Sequence, residues 1–157
     1  MSGLKFFPRA YIVTDSLTPE HRSRNMAAIK STNTRPEMLV RRYLHGLGFR
    51  YQLHHADLPG KPDLFLKKYH TAIFIHGCFW HRHEHCKYAY TPKSNLEFWQ
   101  TKFQKNIEND ARKQALLLEA GINVVVIWEC EIKNGSFKHW IVDVLQENSG
   151  VTHDRGS

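Results

Sequence analysis

The stretch Ile73 to Cys86, IFIHGCFWHRHEHC, constrains the fold more than any other. Its apolar run of β-formers stops at Gly77, which reads as a buried strand meeting the surface, a usual place for a site. Behind that run come His76, His81, His83 and His85 with Cys78 and Cys86, split by a Phe79–Trp80 pair that reads as exposed. A second apolar run, Asn123 to Trp128, has the pattern of a strand buried on both faces, as in a parallel pair joined by a crossover helix. Cys130 follows it directly.

The remaining segments fit around these two runs. Met1 to Leu17 has no clear period and is expected as a mobile arm. Thr18-Pro19-Glu20 starts a helix, with Thr as N-cap and Pro at the first helical position, and Arg22, Arg24 and Lys30 line it. Thr34-Arg35-Pro36-Glu37 opens a second helix with an apolar stripe of Met38, Leu39, Tyr43, Leu44 and Leu47, ended by Gly46 and Gly48. Glu37, three residues after Thr34, completes a capping box there. Phe49–His54 and Asp63–Leu66 read as strands around a turn at 58–62, and Lys67–His70 bends into Thr71–Ile75. Ser94 with Glu97 suggests a capping box for a long helix that places Trp99, Phe103, Ile107, Ala111, Ala115 and Leu118 on one face and ends at Gly121. Residues 137–146 form a last short helix, and 147–157 a loose tail. The predicted order is helix, helix, three strands, helix, strand, helix, an α/β sandwich around a mixed sheet in one domain over 1–157, with its core in 18–146.

The 22 Lys and Arg outnumber the 15 Asp and Glu, giving a formal net charge of +7 with histidine neutral. That balance favours a polyanionic partner, because each phosphate neutralised releases condensed counterions. The start of the chain has no signal-peptide pattern and no run approaches membrane-spanning length, so no membrane partner and a cytoplasmic location are expected. In a reducing compartment, three cysteines beside histidines suggest metal more than disulfide.

Three constellations carry chemistry. Cys78, His83, His85, Cys86 and Cys130 offer the thiolate and imidazole donors of a closed Zn²⁺ site; three unconnected core thiols with solvent-facing histidines account for the spacing about as well. Asp63, after Pro62 at the start of one strand, lies near His76 and His81 at the end of its hairpin partner. A carboxylate there can hold Mg²⁺ and a histidine can take a proton from water, although Pro-Asp is also an ordinary way to enter a strand. Phe79, Trp80 and Trp99 are wedges able to enter a base stack, with core burial the ordinary alternative.

Asn25–Ile29, Leu58-Pro59-Gly60-Lys61-Pro62-Asp63, Phe74–His81 with its His-Gly-Cys-Phe-Trp-His string, Glu97-Phe98-Trp99 and Trp128-Glu129-Cys130 together closely resemble the very-short-patch-repair (Vsr) mismatch endonucleases, from about Thr18 to Lys133. The resemblance implies a restriction-endonuclease-like fold of the PD-(D/E)xK type, a three-layer sandwich with a structural Zn site. It also implies a nick on the 5′ side of the T in a T:G mismatch left by deamination of 5-methylcytosine. On the same resemblance, Asp63 and the backbone carbonyl of Ile75 hold catalytic Mg²⁺, His81 is the general base oriented by Asp110, and Glu37 and His76 support bound water and phosphate. Structural Zn²⁺ falls to Cys78, His83, Cys86 and Cys130; His83 is preferred over His85 because it keeps the family's spacing from Trp80. Phe79, Trp80 and Trp99 are intercalating residues, and Met26, Arg22, Arg24, Lys61 and Asn106 are further DNA contacts.

The chain departs from its wider nuclease relatives on the strand after Pro-Asp. There Phe74-Ile75-His76 replaces the usual Glu-x-Lys, so histidine stands where lysine acts elsewhere. The partner expected is double-stranded DNA with a T:G mismatch, with mismatch-repair proteins as further candidates; a monomer suffices to nick one strand. The reading from another class is a Zn-stabilised module of nuclease descent that binds distorted duplex without cutting it.

Overall fold

The computed structural model describes residues 32–155. The expected arm at 1–17 and the basic helix carrying Arg22, Arg24 and Met26 lie outside them. Within them, α1 (Arg35–Gly46) is followed by β1 (Gln52–Leu53), β2 (Leu64–Leu66), a 3₁₀ turn (Lys67–Tyr69) and β3 (Thr71–His76). Then come α2 (Leu96–Glu119), β4 (Asn123–Trp128), α3 (Glu129–Asn134), a second 3₁₀ turn (Ser136–His139) and α4 (Ile141–Arg155). The strands form one mixed sheet in the order β1-β2-β3-β4. β1 to β3 pair antiparallel, and β4 runs parallel to β3 with Ile75 opposite Ile127 and His76 opposite Trp128.

Alternation on these strands feeds two cores. Leu64, Leu66, Ile73, Val125 and Ile127 face Val40 and Leu44 of α1, Ile132 of α3, Phe137, and Ile141 and Leu145 of α4. Phe65, Ala72 and Phe74 point to the other face and pack with Leu117 of α2 and Ile122. Helices therefore cover both faces, as the expected three-layer sandwich requires. Among the described residues β4 is the edge strand of the sheet, and its Val124 and Val126 are only partly buried, where burial on both faces was expected.

Several local expectations change. Only Gln52 and Leu53 of the expected 49–54 strand pair with β2. The stripe of α1 is Glu37, Val40 and Leu44, whereas Leu39 is 43% and Leu47 52% exposed. The Ser94–Glu97 capping box is absent: α2 is entered through Asn95 at φ +53, a left-handed conformation that Asn tolerates, with no side-chain cap. Cys130 does not simply leave a strand but sits in α3, whose start is fixed by Glu131 accepting the Trp128 N–H at 3.0 Å. The tail expected to be loose is helical through Arg155, and Asn148 donates to the buried Thr71 hydroxyl at 2.9 Å, docking that end on β3.

Leu44→Ala is expected to lower stability by about 2–5 kcal/mol through a core cavity. Leu39→Ala should change it by less than about 0.5 kcal/mol. Urea midpoints of the two variants check this; equal losses would contradict the stripe.

Candidate active site

β2, β3 and β4 bring their functional residues to one end of the sheet. Pro62 has no N–H for the ladder and Asp63 stands one residue before β2. Its carboxylate takes over where the strands stop pairing, with Oδ2 accepting the Ile75 N–H at 2.7 Å. His54 follows β1 and bonds the Asp63 carbonyl through its own N–H. Its Nε2 lies 3.1 Å from Glu37 Oε2, at ion-pair distance though off the line of a hydrogen bond. Donor atoms of Glu37, His54 and Asp63 all lie within 4.8 Å of one another.

Glu37 is 1% exposed. Half of the expected capping box is present, since Thr34 Oγ1 accepts the Glu37 N–H. The return bond goes instead from the Asn33 N–H to Glu37 Oε1, and Arg41 pairs with Oε2 at 3.3 Å. A carboxylate held this far from water needs those partners.

Opposite stands a histidine pair. The His76 and His81 rings stack at 3.8 Å and 7°. His81 Nδ1 lies 2.6 Å from Asp110 Oδ2. A carboxylate can only accept, so Nδ1 donates to Asp110, and in the neutral ring that tautomer leaves the lone pair on Nε2. Burial, with His81 beside it, pulls the His76 pKa down to about 3, so its imidazole stays neutral. Burial raises the Asp63 pKa to about 6; the Ile75 N–H opposes the rise and Glu37 adds to it. These groups line an open cleft of about 430 Å³ with Lys61, Lys113, Trp80 and Glu129.

α2 supplies one wall. Its inward residues run Trp99, Phe103, Asn106, Asp110, Lys113, Leu117, alternating steps of four and three, so the apolar ends of the stripe anchor the helix and Asp110 and Lys113 in its middle line the cleft. The expected stripe through Ile107, Ala111 and Leu118 is exposed. Asn106 Nδ2 donates to the Trp80 carbonyl at 2.9 Å, so Asn106 holds the aromatic loop.

The loop 77–91 is tied at two points. Donor atoms of Cys78, His83, Cys86 and Cys130 lie within 4.8 Å of one another, with His83 Nδ1 at 3.7 Å from Cys78 Sγ and 3.4 Å from Cys130 Sγ. Three soft thiolates with one imidazole at these spacings fit a tetrahedral Zn²⁺. Burial pushes the Cys78 thiol up, so a cation is what would draw its proton off. His83 stacks on Trp128 at 4.2 Å, and His85 is outside the set. The second tie is Arg82, which donates to the carbonyls of Phe79, Ala89 and Tyr90 and covers the Phe103 ring at 3.8 Å.

Of the three wedge candidates, Phe79 and Trp99 take the alternative of core burial. Phe79 is 5% and Trp99 2% exposed, packed with Phe103 in a third small core, while Trp80 is half-buried and Phe98 is exposed. Phe79 breaks the strand alternation and on that pattern reads as exposed, but a loop can close an aromatic cluster that no strand period reveals. Sequence reasoning also missed His54, Lys113, Glu129 and the clamp of Arg82. Glu129 in Trp128-Glu129-Cys130 and Lys113 at heptad spacing from Asn106 were readable; nothing in the sequence marked His54 or Arg82.

A mixed sheet covered by helices on both faces, with carboxylates and imidazoles gathered where β2 begins and β3 ends, is the arrangement of a restriction-endonuclease-like domain. The family model described as DNA mismatch endonuclease Vsr matches residues 14–88. A type II nicking enzyme, V.XorIIP, from Xanthomonas oryzae pv. oryzae is 44% identical over 122 residues, 78% of this chain and 89% of the relative. V.NmeAIP from Neisseria meningitidis is 47% identical over 122 residues, 78% and 86% of the two chains. The DNA mismatch endonuclease Vsr of Escherichia coli is 41% identical over 112 residues, 71% of each chain. The chain belongs to the Vsr family of DNA mismatch endonucleases.

The Asp63 pKa rises from 3.8 to about 6 on folding, so between those values the native state holds more protons than the unfolded state. The contribution of Asp63 to metal-free stability therefore falls as pH rises through that window and is flat above it, while neutral His76 contributes in the opposite sense. Asp63→Asn removes this cost and is expected to stabilise the metal-free protein by about 1–3 kcal/mol at pH 8, with the gain vanishing near pH 4. Denaturant midpoints of both proteins against pH, in chelator, measure it; a pH-independent difference would contradict the raised pKa.

Proposed function

We propose that this protein is a Mg²⁺-dependent endonuclease that nicks double-stranded DNA 5′ to the T of a T:G mismatch left by deamination of 5-methylcytosine, opening very short patch repair. The observation that carries the reading is one cleft holding, on one wall, Asp63 bonded to the Ile75 backbone and, on another, His81 oriented by Asp110. A phosphodiester hydrolase needs those two parts, an oxygen ligand set and a positioned base. The relatives' names, a mismatch endonuclease and nicking enzymes, support the same class.

Asp63 and Ile75 fit a hard cation. In a strand, the N–H and C=O of one residue point to the same edge, so the Ile75 carbonyl shares the side on which its N–H meets Asp63. Asp63 keeps Oδ1 free of that bond, and Glu37 and His54 stand close enough to bind water or share the ion. Bound there, Mg²⁺ would polarise the scissile phosphate and neutralise developing charge. The chain's own work is proton transfer and placement. His81 Nε2 accepts a proton from the attacking water while Asp110 holds the ring and stabilises its charge. His76, neutral and stacked on His81, fixes the ring plane. Cys78, His83, Cys86 and Cys130 form the structural Zn²⁺ site that anchors the loop carrying Trp80 and His81. Trp80 is the accessible wedge beside the mismatch, and Phe79 and Trp99 reach the base stack by opening of their cluster.

An end-labelled duplex carrying one T:G mismatch in varied flanking sequence, with its C:G counterpart, tests the activity. A Mg²⁺-dependent nick 5′ to the mismatched T is expected, lost in Asp63→Ala and His81→Ala while mismatch binding is retained. Binding in every context without a nick would favour the non-cutting module. Cys130→Ala is expected to lose Zn²⁺ and melt at lower temperature; unchanged metal content would remove the Zn assignment.

A further inference from the structure

We infer that Lys113 is the phosphate-binding lysine of this site, supplied by helix α2 in place of the strand lysine that Phe74-Ile75-His76 lacks; this deepens the nuclease reading and rests on it. Four carboxylates line the cleft, Glu37, Asp63, Asp110 and Glu129, against two lining cations, Lys61 and Lys113. A DNA phosphate brought among those acids needs fixed positive charge, most of all as charge grows on its oxygens. His76 also lines the cleft, buried and stacked on His81, and Lys113 adds a charged contact to it.

The two lysines differ in how they are held. Lys61 is exposed on the rim. Lys113 is half-buried one turn beyond Asp110, and its stem is seated against Gly60. A Cβ built on Gly60 would lie 2.9 Å from Lys113 Cβ and Cδ and 3.0 Å from Cγ, so glycine is required for this approach as well as for its own φ of +76°. The seating removes side-chain freedom before DNA arrives, which lowers the entropic cost of the contact. No ion pair among the described residues includes Lys113, because Asp110, its neighbour one turn back, is engaged by His81. Arg41 is committed to Glu37, and Arg82 to loop carbonyls. Lys113 is thus a pre-positioned, unspent charge beside the proposed base and metal ligands, suited as a point charge to one phosphate.

The test compares wild type, Lys113→Met and Lys113→Arg, with Met chosen to keep the straight stem on Gly60. Binding to a T:G duplex is measured against salt in chelator, where nothing is cut, and single-turnover nicking is measured with Mg²⁺. For Lys113→Met we expect an unchanged melting temperature, a slope of log K against log salt reduced by about 1, and nicking slowed about a hundredfold. Lys113→Arg should restore the slope. A Lys113→Met protein with the wild-type slope and nicking within about twofold of wild type overturns the proposal. A wild type that binds but never nicks overturns the nuclease reading instead, and the salt slope still decides whether Lys113 meets a phosphate.

Discussion

Parallel pairing of β3 with β4 is the constraint on which the rest depends. With Ile75 opposite Ile127 and His76 opposite Trp128, the two strands end at the same level. Gly77 and Cys78 leave one strand where Glu129 and Cys130 leave the other. An antiparallel β4 would carry Cys130 to the far end of the sheet and dissolve the four-donor cluster. The same register sets Glu129 to accept the Cys78 N–H, so cluster and cleft share a wall. Long apolar runs on both strands make that pairing the favourable one, because a long helix between them can cross back over the sheet and bury the face of Phe74 and Ala72.

The cleft built on this edge is electrostatically costly. Asp63 and Glu37 are held out of water close to each other, and Asp63 answers by rising to about 6. Arg41 and the Asn33 N–H compensate Glu37, whereas among the described residues Asp63 has one backbone N–H bond and no ion pair. A site kept short of positive charge is prepared for a cation and an anionic substrate together, at the expense of the empty protein's stability. The loop opposite is irregular and polar, and Arg82 and the Cys/His cluster supply the order that its own apolar content cannot.

α2 shows how a functional helix hides in a periodicity. Trp99, Phe103 and Leu117 are apolar anchors of one inward stripe whose middle is Asn106, Asp110 and Lys113. Read for hydrophobicity alone, the stripe shifts by one residue towards Ile107, Ala111 and Leu118, which the structure leaves exposed. Polar residues in phase with buried aromatics are the better signal, since a helix turned by one residue would point Asp110 away from His81.

By itself, the sequence determined the helix after Thr34, the hairpin of β2 and β3, the long helix and β4, because apolar periods and turn residues are local, and it determined which stretch holds the chemistry, because histidines, cysteines and Pro-Asp cluster there. It also contained Cys130 and Asp110 at the right places in their elements. Only the tertiary structure decided that Phe79 is buried, that Glu37 faces His54 and Arg41, and that Lys113 is seated on Gly60. Those outcomes depend on how α1, α2 and the loops pack across the sheet edge. Contacts between residues far apart in the chain are set by the fit of whole surfaces, which no local pattern encodes.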